Sequence, residues 1–426
     1  MPDGTATAHL FRPKLATTFS EGYGVQAFRR DATAALTVAI VALPLSMAIA
    51  VASGVSPERG LYAAIVGGFV VSALGGSRYQ IGGPAGAFIV LVAATTAKFG
   101  LEGLLLTVLV SGVMLTVLGL SRLGSQIRHI PHAVTVGFTS GIALTILASQ
   151  LKDLGGFRLV GAEPGPLIPK LIALVHAAPT LSVATLGLGA GAAALIFILR
   201  RLNPVWPGML IAVIAASLVA LLLHLPVDTI ASRFGGIPHG LPAPRLPPVS
   251  LQLLLQILPS ALSFTLLGGV ESLLSAKVAD GMTGRKHRSN MELVAQGLAN
   301  IASALFGGIC VTGTIARTAT NVRAGACSPL SGMMHSALLL GIMLVAAPLV
   351  RYVPLAALAA VLVVVCWNMA EKAEFARLLR DWRTGAVLLA TFGLTLIRDL
   401  TTGILAGCAI AALLFLFRQR VAEEGD

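Results

Sequence analysis

Apolar runs long enough, or nearly long enough, to cross a bilayer recur along the whole of this 426-residue chain. They confine it to folds that satisfy every backbone polar group inside lipid, which here means helices. The expected segments are 32–52, 60–75, 84–98, 101–120, 132–150, 181–199, 206–224, 259–276, 290–306, 314–325, 328–349, 353–369, 384–397 and 400–417. Only 11% of the residues are charged, where a soluble chain carries about 25%. A soluble enzyme or regulatory domain is therefore excluded, and the expected class is an all-α polytopic membrane protein. The first thirty residues are polar and include Arg12, Lys14, Arg29 and Arg30, so the first apolar run reads as an anchor and not as a cleaved leader.

The net charge of +12 follows the topology of the loops and does not call for nucleic acid. With both termini inside, 20 Lys and Arg fall on cytoplasmic segments, 9 fall outside, and Arg317 lies within the membrane. The cytoplasmic clusters are Arg122/Arg128, Arg200/Arg201, Lys277/Arg285/Lys286/Arg288 and Lys372/Arg377/Arg380/Arg383. Contact with anionic lipid or a partner is an alternative reading of each. Two Pro- and Gly-rich loops, 151–180 and 225–258, lie outside, and the second divides the chain into halves. The expected units are a cytoplasmic N-terminus (1–31), a first repeat (32–224), an external linker (225–258), a second repeat (259–418) and a cytoplasmic tail (419–426). The four cysteines are far apart in apolar segments, without metal-ligand spacing, and the eight histidines share no motif. No metal or cofactor is expected.

One stretch breaks the apolar pattern. Gly307 to Gly325, GGICVTGTIARTATNVRAG, carries Arg317 where a span is expected. It begins like a strand at Ile309–Val311 and continues after Gly313 like a short helix. A charge at mid-membrane depth costs roughly 2.5–3.5 kcal/mol on the lenient insertion scale. A helix terminus offsets about 0.3–1 kcal/mol, and Arg317 sits at the positive end, where the sign is wrong. A bound anion accounts for it; a snorkelled or internally paired cation is the alternative.

The two halves resemble each other around this stretch. Ser72-Ala73-Leu74-Gly75-Gly76 and Tyr79–Gly86 precede the third span, as Ser303–Gly308 and Cys310–Thr314 precede the tenth. Both show an apolar span, a Gly pair, a strand-like piece, a glycine and a short helix. Spans 3 and 10 are each third in a set of seven, and an odd set makes the second enter from the opposite side. Such inverted repeats place two half-helix N-termini near the midplane. Helix starts at about Pro84–Ala87 and Thr314–Arg317, with Pro84 in the first turn, would cradle a small anion on free N–H groups. Gly82, Gly83, Ala85, Gly86, Gly313, Thr314, Ile315, Ala316 and Arg317 are the candidate residues; tight helix packing is the competing explanation for the glycines.

Glu271, inside span 8, is the second intramembrane charge and is suited to carrying a proton with the substrate, unless it is a fixed partner of Arg317 or Lys277. Ser272 and Ser275 either help ligate a cation or donate to the i−4 carbonyl. Pro44 interrupts span 1 at similar depth, and that span supplies an apolar wall. Asp280 and Glu292 are expected at cytoplasmic helix ends; Glu58, Arg398 and Asp399 are expected in outer loops. No P-loop, nucleophile elbow or metal box is present, which speaks against an enzyme.

Pro57–Tyr62, Ser77–Pro84, Glu271–Ser275, Val278–Gly281 with Ser289-Asn290, and Arg317–Asn321 together resemble the SulP, or solute carrier 26, anion transporters. The resemblance implies seven-plus-seven inverted repeats, a core of spans 1–4 and 8–11, a gate of spans 5–7 and 12–14, an anion between spans 3 and 10, elevator-type movement, and a homodimer in the bacterial inner membrane. It also implies that Leu45 and Ile49 line the substrate; many animal members carry glutamine and phenylalanine there. The sodium-dependent bicarbonate branch is similar at Glu271, Ser275 and Gly313 but has a hydroxyl where this chain has Ile315, which favours protons as the coupling ion. Expected substrates are a C4-dicarboxylate such as fumarate, then sulfate, then bicarbonate. Family members usually end in a cytoplasmic STAS domain, which is expected to be absent here. A nucleobase carrier of the same architecture and a non-transporting anion sensor are the alternatives.

Overall fold

The structure is a computed structural model describing residues 11–124, 131–161, 164, 167–203, 206–398, 402–403 and 406–414. Arg128, Asp399, part of the last expected span and the 419–426 tail lie outside these. Seven described helices are long and apolar enough to cross a membrane, and Leu167–His176, Gly208–Leu222 and Trp382–Ile397 are shorter apolar helices.

A short helix α1 (Lys14–Ser20) precedes α2 (Val25–Ala52), which continues through Pro44. The second expected span is broken into α3 (Pro57–Tyr62), a π turn (Ala63–Gly67) and α4 (Gly68–Leu74). Strand β1 (Gly82–Gly83) and a 3-10 turn (Gly86–Phe88) lead into α5 (Ile89–Leu120), which Gly100, at φ 69°, kinks between the third and fourth expected spans. Then come α6 (His132–Gly155), α7 (Leu167–His176), α8 (Val183–Leu202), α9 (Gly208–Leu222) and α10 (Ile230–Phe234). The second half runs α11 (Leu251–Thr283), α12 (Ser289–Leu305), β2 (Thr312–Gly313), α13 (Ile315–Arg323), α14 (Leu330–Val350), α15 (Leu355–Met369), α16 (Lys372–Leu378) and α17 (Trp382–Ile397).

Two expectations need correction. The two long loops contain helices α7 and α10, the latter capped by Thr229, whose hydroxyl accepts from the Ser232 N–H. Helix α11 starts at Leu251 and not near 259, because Ser250 caps it, accepting from the Leu253 N–H at 3.2 Å, and Pro259 is carried inside the helix. The short helix expected in span 10 is α13, nine residues long.

The helices sort into two packing groups. In one, α5 packs on α11 and α12, α12 on α4, α14 on α2 and α4, and α13 on α2 and α11. In the other, α6 packs on α15 and α17, and α8 on α9 and α15. Contacts of α2 with α9 and α15, and of α6 with the 3-10 turn, join the groups. β1 and β2 form a two-stranded antiparallel sheet inside the first group, pairing Gly82 with Gly313 and Gly83 with Thr312.

Helix α1 is held to the membrane-facing loops by polar contacts. The Lys14 N–H donates to Gly75 O at 2.9 Å, Arg288 donates to Arg12 O at 2.6 Å, and Glu21 pairs with Arg78 and, at 3.5 Å, with Arg285. The Arg78 hydrogen bond holds the Glu21 carboxyl below its usual value. A lowered folded value means the contact contributes above the unfolded carboxylate range and is lost as pH falls through the folded one. Hydrogen exchange is therefore expected to show α1 protected at pH 7 and less protected in acid. Glu21→Gln is expected to show the acid pattern already at pH 7; equal protection in both proteins would contradict this.

Candidate functional site

Extended backbone at membrane depth needs partners that water does not supply. For 309–313 they come from three places. The Asn300 side chain on α12 clamps Val311, accepting from its N–H at 2.8 Å and donating to its carbonyl at 2.8 Å. Ser303 Oγ donates to Ile309 O at 2.6 Å. β2 itself pairs with β1, and the Thr314 N–H extends the ladder to Ile81 O at 3.0 Å. The strand is thus at 312–313 and not at 309–311, where the side chains of Asn300 and Ser303 take the place of a neighbouring strand. Glycine is required at 313 for space: a Cβ there would lie 1.5 Å from Gln80 Nε2.

Both strands deliver the chain into a helix start. Thr314 is the N-cap of α13, so the N–H groups of Ile315, Ala316 and Arg317 have no carbonyl within the helix. On the other side the 3-10 turn begins at Gly86 with Ala85 as N-cap. Pro84 therefore lies before the first turn and not in it, and its carbonyl accepts from Arg317 Nη2 at 3.4 Å. Thr314 and Ala85 are buried, Ile315 and Gly86 half-buried, and Ala316 exposed. Gly86 faces the second helix group: a Cβ there would lie 3.4 Å from Met369 Sδ on α15 and 3.7 Å from Ile146 on α6. The helix start at Gly86 thus lies at the boundary between the groups.

Arg317 is the largest fully buried side chain among the described residues, 1% exposed. Its Nη2 donates to Ser46 Oγ on α2 at 3.1 Å, while Nε and Nη1 have no partner. Nη1 is so close to Gly83 that a Cβ on that residue would lie 2.3 Å from it. Leu45 and Ile49, both buried, flank Ser46 on the same turns of α2. The predicted apolar wall and the predicted cation are therefore brought together, with the Ser46 hydroxyl as the link. Arg317 is not snorkelled, and no ion pair reaches it among the described residues.

Glu271 is buried on α11 beside the segment that holds β2. No ion pair joins it to Arg317 or Lys277 among the described residues, so the fixed-pair alternative is not realised. Its neighbours Ser272 and Ser275 do not bond the i−4 carbonyl. Ser272 Oγ lies 2.9 Å from Thr312 Oγ1 and accepts from the Gly313 N–H at 3.3 Å; Ser275 Oγ donates to Thr318 Oγ1 at 3.0 Å. Ser272 ties α11 to β2, and Ser275 ties it to α13.

Several polar residues in this region were given no site role by sequence. Glu292, expected at a cytoplasmic helix end, lies in the first turn of α12 and is fully buried; its carboxylate accepts from the Ser77 N–H at 2.9 Å and from Gln296 at 3.1 Å, fixing the loop before β1. Asp31 is fully buried and accepts from the Cys327 N–H at 2.7 Å, the Ser328 N–H at 3.2 Å and Tyr23 Oη at 2.9 Å. His335 on α14 is fully buried with neither ring nitrogen partnered. A cavity of about 650 Å³ at the C-terminal end of α6, lined in part by Lys152, Asp153, Arg158 and Arg233, includes none of the predicted site residues.

Comparison with known proteins agrees with this architecture. Residues 28–391 match the family model described as the sulfate permease family. The chain is 42% identical over 406 residues to YvdB of Bacillus subtilis strain 168, a protein provisionally named for sulfate transport, covering 95% of this chain and 76% of that one. It is 31% identical over 408 residues to the bicarbonate transporter BicA of Picosynechococcus, covering 92% and 70%. Among solved structures, the transmembrane domain of a cyanobacterium bicarbonate transporter BicA superposes with a TM-score of 0.80 at 28% identity, covering 92% of this chain and 98% of that one. The murine solute carrier 26 family member A9 anion transporter, in the inward-facing state, gives 0.87 at 18% identity, covering 98% and 73%, and shares the fold.

Proposed function

Because this multi-pass membrane chain belongs to the sulfate permease family, we propose that it is a secondary transporter of small anions, bound between the half-helix starts at Gly86 and Ile315. The observation that carries this reading is Arg317: a fully buried guanidinium with two unpartnered donors, set against Gly83 and beside two helix N-termini. A buried cation with free donors is costly unless an anion completes it.

In this reading the backbone of Gly83–Gly86 and Gly313–Ala316 approaches the anion, Arg317 supplies the charge, and Leu45 and Ile49 set the size of the apolar side. Glu271, with Ser275 nearby, carries the coupling proton. The group holding β1, β2 and α13 moves as one body against α6, α8, α15 and α17, in elevator fashion, within a homodimer whose termini face the cytoplasm of the bacterial inner membrane. The substrate order is a C4-dicarboxylate such as fumarate, then sulfate, then bicarbonate. A sodium-driven bicarbonate reading has one observation in its favour, the hydroxyls of Ser272, Thr312, Ser275 and Thr318 gathered beside Glu271.

Uptake of labelled fumarate, sulfate and bicarbonate into proteoliposomes tests both readings. Accumulation of one of the three anions driven by an inward proton gradient in sodium-free buffer is the expected result. Accumulation that requires sodium moves the assignment to the second reading. No uptake of any anion under either gradient refutes transport.

A further inference from the structure

The loop after α4 and the loop between α11 and α12 are bound to one another and to α1 through the main chain. Gly75 O accepts from the Lys14 N–H at 2.9 Å, and Gly76 O accepts from the Arg288 N–H at 2.9 Å. The approach is close enough that a Cβ on Gly76 would lie 2.1 Å from Arg288 O. Three cations are thereby brought to one place, where the chain enters α2: Lys14 from α1, Arg78 from the first loop and Arg288 from the second. Two more stand at the rim. Glu21 pairs with Arg78 and, at 3.5 Å, with Arg285. Arg288 Nη1 donates to Arg12 O at 2.6 Å and to Thr17 Oγ1 at 3.1 Å, which holds the Arg12 backbone alongside.

Arg78 is only 7% exposed, and its guanidinium is incompletely met: Nη2 pairs with Glu21, while Nε has no partner. Lys14 and Arg288 are half-buried. Burial, and after it the charges of Arg288 and Arg78, holds the Lys14 ammonium below its usual value. The nearby carboxylates do not balance this charge. Glu21 is shared between two arginines. Asp280 accepts from the His287 N–H at 3.1 Å and lies 2.6 Å from its Nδ1. Glu292 is turned inward to Ser77 and Gln296. Topology asks only that cations lie in these loops, and side chains spread through water would meet it. Gathering them in a half-buried space is costly unless an anion joins them.

We propose that Lys14, Arg78 and Arg288, with Arg12 and Arg285 at the rim, bind a phosphate group. Guanidinium forks and an ammonium converging from three segments match the several oxygens of a phosphate. That group has two sources: free phosphate in solution, or the phosphodiester of an anionic lipid at the bilayer surface. Phe19 on α1 and Phe28 at the start of α2 are exposed, which suits the second source. The site is separate from the one at Arg317. Ser46, the α2 partner of Arg317, lies 21 residues beyond Val25, or about 30 Å of helix rise from the start of α2. A phosphate held here ties α1 to both loops and fixes the entry of α2, the helix that carries Leu45, Ser46 and Ile49. The binding claim stands whether or not the chain transports anions.

The test is hydrogen exchange in α1 and the 75–78 loop, read by mass spectrometry on the purified full chain at pH 7.5. In one arm, millimolar inorganic phosphate is compared with chloride at equal ionic strength, in phosphatidylcholine nanodiscs. In the other, nanodiscs containing phosphatidylglycerol are compared with phosphatidylcholine alone. Exchange is expected to slow at least about 5-fold in one arm or both, less than a fully buried charged hydrogen bond would give. Slowing by inorganic phosphate identifies a soluble phosphate as ligand, and slowing by phosphatidylglycerol alone identifies a lipid headgroup. Each variant is read against its own baseline. Arg12→Gln/Lys14→Gln is expected to lose the effect, and Arg317→Met to retain it. Slowing in the double variant equal to the wild type overturns the proposal, and so does loss of the effect in Arg317→Met, which would place the ligand at the transport site. No slowing of the wild type in either arm overturns it without recourse to any variant.

Discussion

Arg317→Ala protein is expected to insert and fold but to accumulate no anion above background. Truncating one partner of a buried charged contact costs roughly 2–5 kcal/mol, which lowers uptake at sub-saturating anion by at least about 30-fold. The stability outcome is as informative as the transport outcome. Arg317 gains only two hydrogen bonds within the protein, to Ser46 and Pro84, and leaves two donors unmet. Arg317→Met, which keeps most of the volume and discards the charge, is therefore expected to unfold at the same temperature as the wild type or higher, while failing to transport. Arg317→Lys is expected to transport weakly, since a point charge replaces a planar fork. A marked drop in the melting temperature of Arg317→Met would show that the guanidinium is structural and would undercut the anion site.

Asn300→Leu is expected to be the most damaging conservative change outside the site. It nearly preserves volume but removes both hydrogen bonds to Val311. A buried N–H and a buried carbonyl are then unsatisfied, at about 1–3 kcal/mol each, so roughly 2–6 kcal/mol is lost together. β2 and the start of α13 lose their anchor with it, and transport is expected to fall in parallel. Asn300→Asp keeps an acceptor for the Val311 N–H and is expected to lie between the two. Thermal unfolding of the three proteins in one detergent reads the series; an unaltered Asn300→Leu midpoint would mean that β1 alone holds the segment.

The contrast between these two residues shows what the sequence makes legible. Arg317 announces itself because a cation among glycines in an apolar run violates a rule of the bilayer, and the parallel stretch at 79–86 doubles the signal. Asn300 sits in an ordinary amphipathic helix, and its partner is a backbone eleven residues on, so nothing in its neighbours marks it. Glu292 and Asp31 stand next to basic residues and carry no local mark of burial; the folding of the 75–78 loop onto α12, and of 327–328 onto α2, buries them. Helix ends were also harder to place than helices: Pro84 suits a first turn by its own geometry, but Ala85 caps the turn one residue later. Local rules found what is anomalous locally; residues defined by distant contacts needed the fold.

The pairing of Gly82 with Gly313 also imposes an order on biosynthesis. The two strands are separated by about half the chain, so β1 enters the membrane long before its partner is made. Until Thr312 and Gly313 emerge, the N–H and carbonyl groups of Gly82 and Gly83 have no strand to meet, in a medium that penalises such exposure. The first half is thus inserted as a set of helices around an unfinished centre, and the candidate site comes into being in a single late event, when β2 docks and Thr314 closes on Ile81.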